Sequence, residues 1–270
     1  MCDIRCSRQR ARRGGQVAQS GRQQRRGALA GYLADSRNPL NTVLLLLPLF
    51  LIYSVGILAT GGVRSGVDLV SDLLRRHVFA SDTQYLIFHL GSALAFVLAA
   101  LWLRHRHCFR PSIYLLVVLE GALYGLLLGQ GVPRLLALLR VSPDSAHLAA
   151  AAADPLAQLG TLDRFVLSLG AGLWEELVFR LLLLGGTLYL LVRVLRLPPL
   201  ACWIAAALFS SLAFSTVHYL GNLADTFQLY GFLFRFLAGM VFALVYALRG
   251  LAVSVYTHAV YDVMVLVVLA

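Results

Sequence analysis

Nine ionisable residues stand inside long apolar runs of this 270-residue chain: His89, Glu120, Glu175, Glu176, Arg180, His218, Arg235, His258 and Asp262. A charge at the centre of a membrane helix costs about 2.5–3.5 kcal/mol on the insertion scale, so each needs a physical reason to be there. Six of them fall into three short clusters after residue 170. The first is Trp174-Glu175-Glu176-Leu177-Val178-Phe179-Arg180. Two adjacent carboxylates repel each other. Arg180 follows Glu176 by one helical turn on the same face and compensates it. Glu175 is rotated by about 100° from that pair and keeps its carboxylate for other work. A carboxylate withdrawn from water suits general-base chemistry on a water molecule. The bland alternative is that the whole cluster glues helices together, but a single Glu–Arg pair would do that without the second Glu.

The second cluster, Phe214-Ser215-Thr216-Val217-His218, is weak alone, because a histidine near a helix end often serves packing. The third is His258-Ala259-Val260-Tyr261-Asp262. Its ionisable pair is spaced i, i+4 and shares one helical face. The Asp either holds the imidazole's tautomer and stabilises its protonated form, or the two residues ligate a metal together. Glu175, His218, His258 and Asp262 make a ligand set that zinc accepts, so a divalent metal stays open beside a metal-free glutamate mechanism. Glu120 faces either the same cavity, paired with Arg235 or Arg180, or a neighbouring helix through a hydrogen bond. Arg235 clamps a substrate carboxylate or supports the fold. His89 and Ser92 read as packing polar groups.

The elements that must carry these residues follow from composition. The chain is 59% apolar and only 13% charged, against roughly 45–50% and about 25% in soluble domains, which excludes a water-soluble globular enzyme and a disordered chain. A hydrocarbon core about 30 Å thick takes ~20 apolar residues of helix. Candidate spans are 40–61, 84–103, 112–131, 164–192, 199–220, 228–248 and 250–270. None alternates with period two, which disfavours a membrane β-barrel. The fold class is therefore all-α: a polytopic transmembrane bundle of about seven spans, with a cavity among the C-terminal helices. Span 164–192 is too long for a plain crossing, so it tilts, protrudes or breaks at Gly170/Gly172 or Gly185-Gly186. At 1.5 Å per residue, Glu175 lies ~16 Å from the outer end of its span and His258 ~12 Å from the inner end of its own, both near the midplane. His218 falls near the outer end of 199–220, so its helix is expected to continue past Gly221 or to end a turn away from that boundary.

Three parts are read along the chain: a basic flexible cytoplasmic tail (1–39), N-terminal membrane helices with a loop (40–160), and the membrane domain that carries the clusters (161–270). The formal net charge is +10, but residues 1–39 hold nine Arg against Asp3 and Asp35, so the charge is a tail on an oily body and not a nucleic-acid surface. Anionic lipid headgroups are the natural contact of such a tail. With the tail inside, inner segments hold fifteen arginines and outer segments six, which orients the N-terminus to the cytoplasm. The long connection 132–163 contains segment 133–140, which either lies flat at the interface or forms a surface loop with one helical turn. Cys2, Cys6, Cys108 and Cys202 form no CxxC pair, against a zinc ribbon or disulfide framework.

Taken in order, the clusters read Glu175-Glu176-x-x-x-Arg180, Phe214-x-x-x-His218 and His258-x-x-x-Asp262, each on an apolar helix. They resemble the motifs of the CPBP family of intramembrane proteases, also called the CAAX-protease/ABI family. The stretch from Phe234 to Leu251 also looks like that family's helix before its last motif, and the resemblance covers about 164–266. It implies an all-helical membrane endopeptidase. In it Glu175 would activate the attacking water, and His218 and His258 would stabilise the oxyanion or ligate a metal. Asp262 would orient the site where the eukaryotic enzymes carry Asn, and Glu176, Arg180 and Phe214 would support it. The implied partners are a membrane-associated protein or peptide substrate and the lipid bilayer, with no nucleic acid. The expected location is a bacterial inner membrane, since all 23 basic residues are Arg and none is Lys, as a GC-rich genome would encode. The rival class is a non-catalytic scaffold, immunity or transport-associated protein on the same fold. Other intramembrane chemistries lack their marks here: there is no His-Glu-x-x-His and no Gly-x-Gly-Asp.

Overall fold

The computed structural model describes residues 21–59, 81–143, 159–220 and 226–269, and among them every regular element is a helix. In chain order these are α1 (Gly21–Ser36), α2 (Pro39–Ala59), α3 (Asp82–Leu103), α4 (Tyr114–Leu138), α5 (Thr161–Val194), α6 (Pro199–Val217), α7 (Leu229–Arg249) and α8 (Leu251–Val263). A 3₁₀ turn, Pro111–Ile113, leads into α4, and a π-helical turn, Met264–Val268, ends α8. Seven helices, α2 to α8, are long and apolar enough to cross a membrane, and the chain is an integral multi-pass membrane protein. Leu94, Leu98, Leu115, Leu119 and Leu126 turn outward, whereas Glu176, Arg180, Ser210 and Ser254 are fully buried. That is the arrangement expected when the solvent is hydrocarbon and polar groups can be satisfied only inside the bundle.

Helix α8 is the axis of the fold. Its residues from Ala252 to Ala259 are all buried, and it packs against both α4 and α5. Glycines make the close approach possible. A Cβ on Gly172 of α5 would stand 2.6 Å from the backbone of Ala259, and one on Gly125 of α4 would stand 2.9 Å from the Thr257 carbonyl. The turn into α8 is Gly250 alone, with φ +91°, a left-handed conformation that side chains resist. It reverses the chain between α7 and α8 in one residue.

Four boundaries differ from those expected of the sequence. Residues 21–36, read as part of the flexible tail, form α1, and its end is tied down. Asn41 Nδ2 donates to the Asp35 carbonyl at 2.9 Å, Arg110 pairs with the Asp35 carboxylate at 3.2 Å, and an Arg37 guanidinium N–H donates to the Ala247 carbonyl. Residues 1–20 and the Ala run 149–153 lie outside the described residues. Helix α4 continues past residue 131 through Pro133 to Leu138, so 133–138 is neither an interfacial helix nor a loop, because Leu136 is a fully buried core residue. Helix α5 does not break at its glycines. It changes pitch instead, with π-helical stretches at Glu176–Leu184 and Leu190–Val194. Finally, α6 ends at Val217, with His218 as its C-cap, about one turn short of the boundary at 220, which is the second of the two expected outcomes.

Candidate active site

The three clusters come together around one imidazole. Glu175 is the last α-helical residue before the π-helical stretch of α5, and Glu176 is its first. A π-turn in a helix is uncommon and is frequently found at functional sites. Here it lies against α6, whose Ser210 hydroxyl donates to the Phe179 carbonyl at 2.6 Å. From α8, His258 enters between the carboxylates. Its Nδ1 lies 3.0 Å from Glu176 Oε1, and its Nε2 faces Asp262 Oδ2 at 3.5 Å and Glu175 Oε2 at 3.7 Å. Carboxylate oxygens therefore flank both ring nitrogens, one within hydrogen-bond distance and two just beyond it.

Glu176 is held on every side. Arg180 Nη1 stands 3.3 Å from its Oε1, and the Ser254 hydroxyl donates to its Oε2 at 2.5 Å. Arg180 Nη2 donates to the Gly239 carbonyl at 3.3 Å, and its guanidinium carbon lies 4.6 Å from the Phe214 ring centroid and 5.1 Å from that of Phe242. The Glu176–Arg180 pair read from the sequence thus exists, fully buried, and is backed by cation–π contacts. Removing one partner of such a pair leaves an uncompensated charge and is strongly destabilising.

Aromatic rings set the position of both histidines. The Phe242 ring stacks on His258 with centroids 4.4 Å apart and an interplanar angle of 18°. Phe214 meets His258 edge-on at 5.8 Å and His218 edge-on at 5.1 Å. His218 is half-buried, and its Nδ1 lies 2.8 Å from the Phe214 carbonyl on its own helix, which leaves Nε2 as the nitrogen turned away from the backbone. Arg235 of α7 donates from Nη1 to the Tyr219 hydroxyl at 3.0 Å and interacts electrostatically with both His218 and Asp262.

Residues 157–264 match the family model described as type II CAAX prenyl endopeptidase, Rce1-like. Over this segment, less than half of its length, the chain is similar to that family. It is a family of peptidases, and the matched segment contains all three converging clusters. No curated protein and no solved structure matches the chain.

Glu175, Glu176, Arg180, Phe214, His258 and Asp262 of the Rce1-like segment form one contiguous group, with His218 joined to it through the Phe214 ring. Glu120 does not belong to it. Its partner is Arg249, not Arg235 or Arg180, because α4 presents it to the end of α7 at the N-terminal face of the bundle. Among the described residues no group of three or more His, Cys, Asp or Glu has the geometry to hold a metal ion, so in this arrangement the four residues do not form the ligand set left open by their types. His89 sits elsewhere, at 3.1 Å from the Ser54 hydroxyl and among the rings of Phe50, Phe88 and Trp174.

Three members of the site escape sequence reading. Ser254 precedes His258 by four residues, and that i, i+4 spacing was a legible signal. Phe242 and the Gly239 carbonyl come from α7 and had no local signal, since only the crossing of α7 over α5 and α8 makes them neighbours.

Proposed function

We propose that this chain is an intramembrane endopeptidase that hydrolyses a peptide bond with water activated by Glu175. The observation that carries this reading is the asymmetry around His258. Glu176 is saturated by Arg180, Ser254 and His258 Nδ1, while Glu175 and Asp262 meet at Nε2 at distances longer than a hydrogen bond. In the proposed reaction Glu175 takes a proton from water, and the hydroxide oxygen bonds to the carbonyl carbon. His258, held as an imidazolium with Nδ1–H on Glu176, donates from Nε2 to the oxyanion that forms; His218, whose Nδ1–H is held by the Phe214 carbonyl, lines the site and adds a second donor only when its ring is doubly protonated. Oxyanion donors of this kind are often the largest single catalytic contribution. The proton on Glu175 then passes to the amide nitrogen as the C–N bond breaks, which releases the amine and regenerates the carboxylate. Glu176 and Asp262 orient and charge-balance the imidazole.

The substrate is a membrane-associated protein or peptide. The chain is read as residing in a bacterial inner membrane with its N-terminal segment in the cytoplasm, since arginine is concentrated at that face.

Comparing the membrane-protein termini of wild-type cells with those of a Glu175→Ala strain at equal expression tests the reading. Specific new termini present only with the wild type are expected, and they would name the substrate. If no terminus depends on Glu175 while Glu175→Ala still rescues the phenotype of a deletion strain, the peptidase reading fails and a scaffold or immunity role replaces it.

A further inference from the structure

The hairpin between α5 and α6 carries positive charge that nothing around it answers. Arg193 stands in the last π-helical turn of α5, and Arg196 lies in the connection to Pro199, where its backbone is left-handed at φ +56°. Both residues are exposed, and neither side chain has a hydrogen bond, an ion pair or a ring contact among the described residues. From Leu177 to Ala224 the sequence holds no Asp or Glu that could supply a partner locally. Arg37, Arg110, Arg180 and Arg249 differ in this respect, since each is engaged by a carbonyl or a carboxylate.

Beside the two arginines, α5 and α6 leave a groove of about 560 Å³. Gly185, Leu188, Val192 and Arg193 line it from α5, and Leu200 and Trp203 line it from α6. The α5 residues recur at i, i+3, i+7 and i+8, so they form one stripe along the helix. That stripe is ~12 Å long, with Gly185 at its inner end and Arg193 at the hairpin end. Arg193 is the charged residue of an otherwise uncharged lining. Tyr189 and Trp203 border the groove near Arg193, and aromatic rings of this kind are enriched at the headgroup level of a membrane.

We infer that this groove binds one anionic phospholipid, with its phosphate on Arg193 and Arg196 and one acyl chain laid along the stripe toward Gly185. A guanidinium can hold two phosphate oxygens through parallel N–H groups. Basic pockets between membrane helices take anionic headgroups for the same reason. A second copy of the chain suits the groove less well, because a two-fold contact here would set four unpaired guanidiniums against one another. The groove shares no lining residue with the group around His258, so the lipid site stands or falls separately from the peptidase reading.

Lipid binding to the full-length protein in detergent tests this. The protein, washed free of host lipid, is titrated with phosphatidylglycerol and with phosphatidylcholine of the same acyl chains, and bound lipid is counted by native mass spectrometry. One phosphatidylglycerol per chain is expected to bind at least tenfold more tightly than phosphatidylcholine. Arg193→Gln combined with Arg196→Gln should abolish that preference. Arg134→Gln combined with Arg140→Gln removes the same charge from exposed positions elsewhere, and should leave the preference within twofold of wild type. Phosphatidylglycerol carrying a photoreactive diazirine on its acyl chain should crosslink within residues 185–203 of the unaltered protein. Equal affinity for the two lipids, equal losses in the two double variants, or crosslinks confined to other helices overturn the inference. A wild type that is dimeric and takes no phospholipid assigns the groove to a second copy and overturns it as well.

Discussion

Two buried clusters in this molecule are built from the same residue types and do different things. At the N-terminal face, Glu120 accepts four donors on its two oxygens: Arg249 Nε and Tyr124 on Oε1, and Arg249 Nη2 and Tyr32 on Oε2. One carboxylate meets one guanidinium and two hydroxyls. Burial and the adjacent Glu120 carboxylate push the Tyr32 hydroxyl up from its ordinary range, so it stays a donor. The cluster is balanced in charge, and each Glu120 oxygen accepts two donors, which makes it a clasp holding α1 to α4 and α7. Around His258, three carboxylates meet one arginine and one imidazole. There both Glu176 oxygens have partners, and Glu175 and Asp262 add two further carboxylates at Nε2. A buried ion pair is weak evidence of anything beyond structure. A buried pair with two further carboxylates at the second ring nitrogen is the feature on which the proposed chemistry rests.

Substitutions can test this division, and the largest effect is expected at the surplus carboxylate. Glu175→Gln should lower the appearance rate of Glu175-dependent termini by about 10²–10⁴-fold, the usual contribution of a general base. Its unfolding temperature in detergent should stay near that of the wild type. A Glu175→Gln protein that unfolds early would move Glu175 into the structural class.

Next in size, Arg180→Ala should destabilise the fold by about 3–5 kcal/mol, because it leaves Glu176 charged, dry and uncompensated. Thermal or denaturant unfolding measures this, and a loss under 1 kcal/mol would contradict the buried pairing. Gly172→Ala should cost about 1–3 kcal/mol, since the added Cβ meets the Ala259 backbone and must push α8 away from α5. It should also lower turnover per folded molecule, as His258 moves off the carboxylates. Unchanged turnover would show that the spacing of α5 and α8 is not what aligns the site.

The smallest effect belongs to the clasp. Tyr32→Phe should cost about 0.5–1.5 kcal/mol, one hydrogen bond's net worth, and leave turnover per folded molecule within twofold of wild type. A large loss of turnover there would mean that the clasp is coupled to the site through the Gly250 turn, and the separation of the two clusters would fail.

Much of the site was legible because membrane burial is costly. Polar residues in apolar runs are few, and Glu175, Glu176, Arg180, His218, His258 and Asp262 stood out for that reason alone. The pairing of Glu176 with Arg180 was readable from spacing, because i, i+4 neighbours on a helix meet whatever else the chain does. Glu120 shows where that logic stops. Its cost was visible, but its partner lies 129 residues away, and several arginines were equally plausible on paper. The tail reading stopped short for a related reason. Residues 21–37 carry polar composition, yet contacts with Glu120, Arg110 and Ala247 tie them to the bundle.

By itself, then, the sequence determined an all-helical membrane bundle of about seven crossings, the order of its three polar clusters and the resemblance of its C-terminal segment to the CAAX-protease family. Composition, helical periodicity and local spacing carry that information. Only the tertiary structure decided that Glu176 rather than Glu175 holds Nδ1 of His258, that Phe242 stacks on that ring, and that α5 turns π-helical at Glu176. Each of these depends on how α8 seats between α4 and α5. That seating is set by Gly121, Gly125 and Gly172, small residues whose partners lie on another helix and cannot be read along their own.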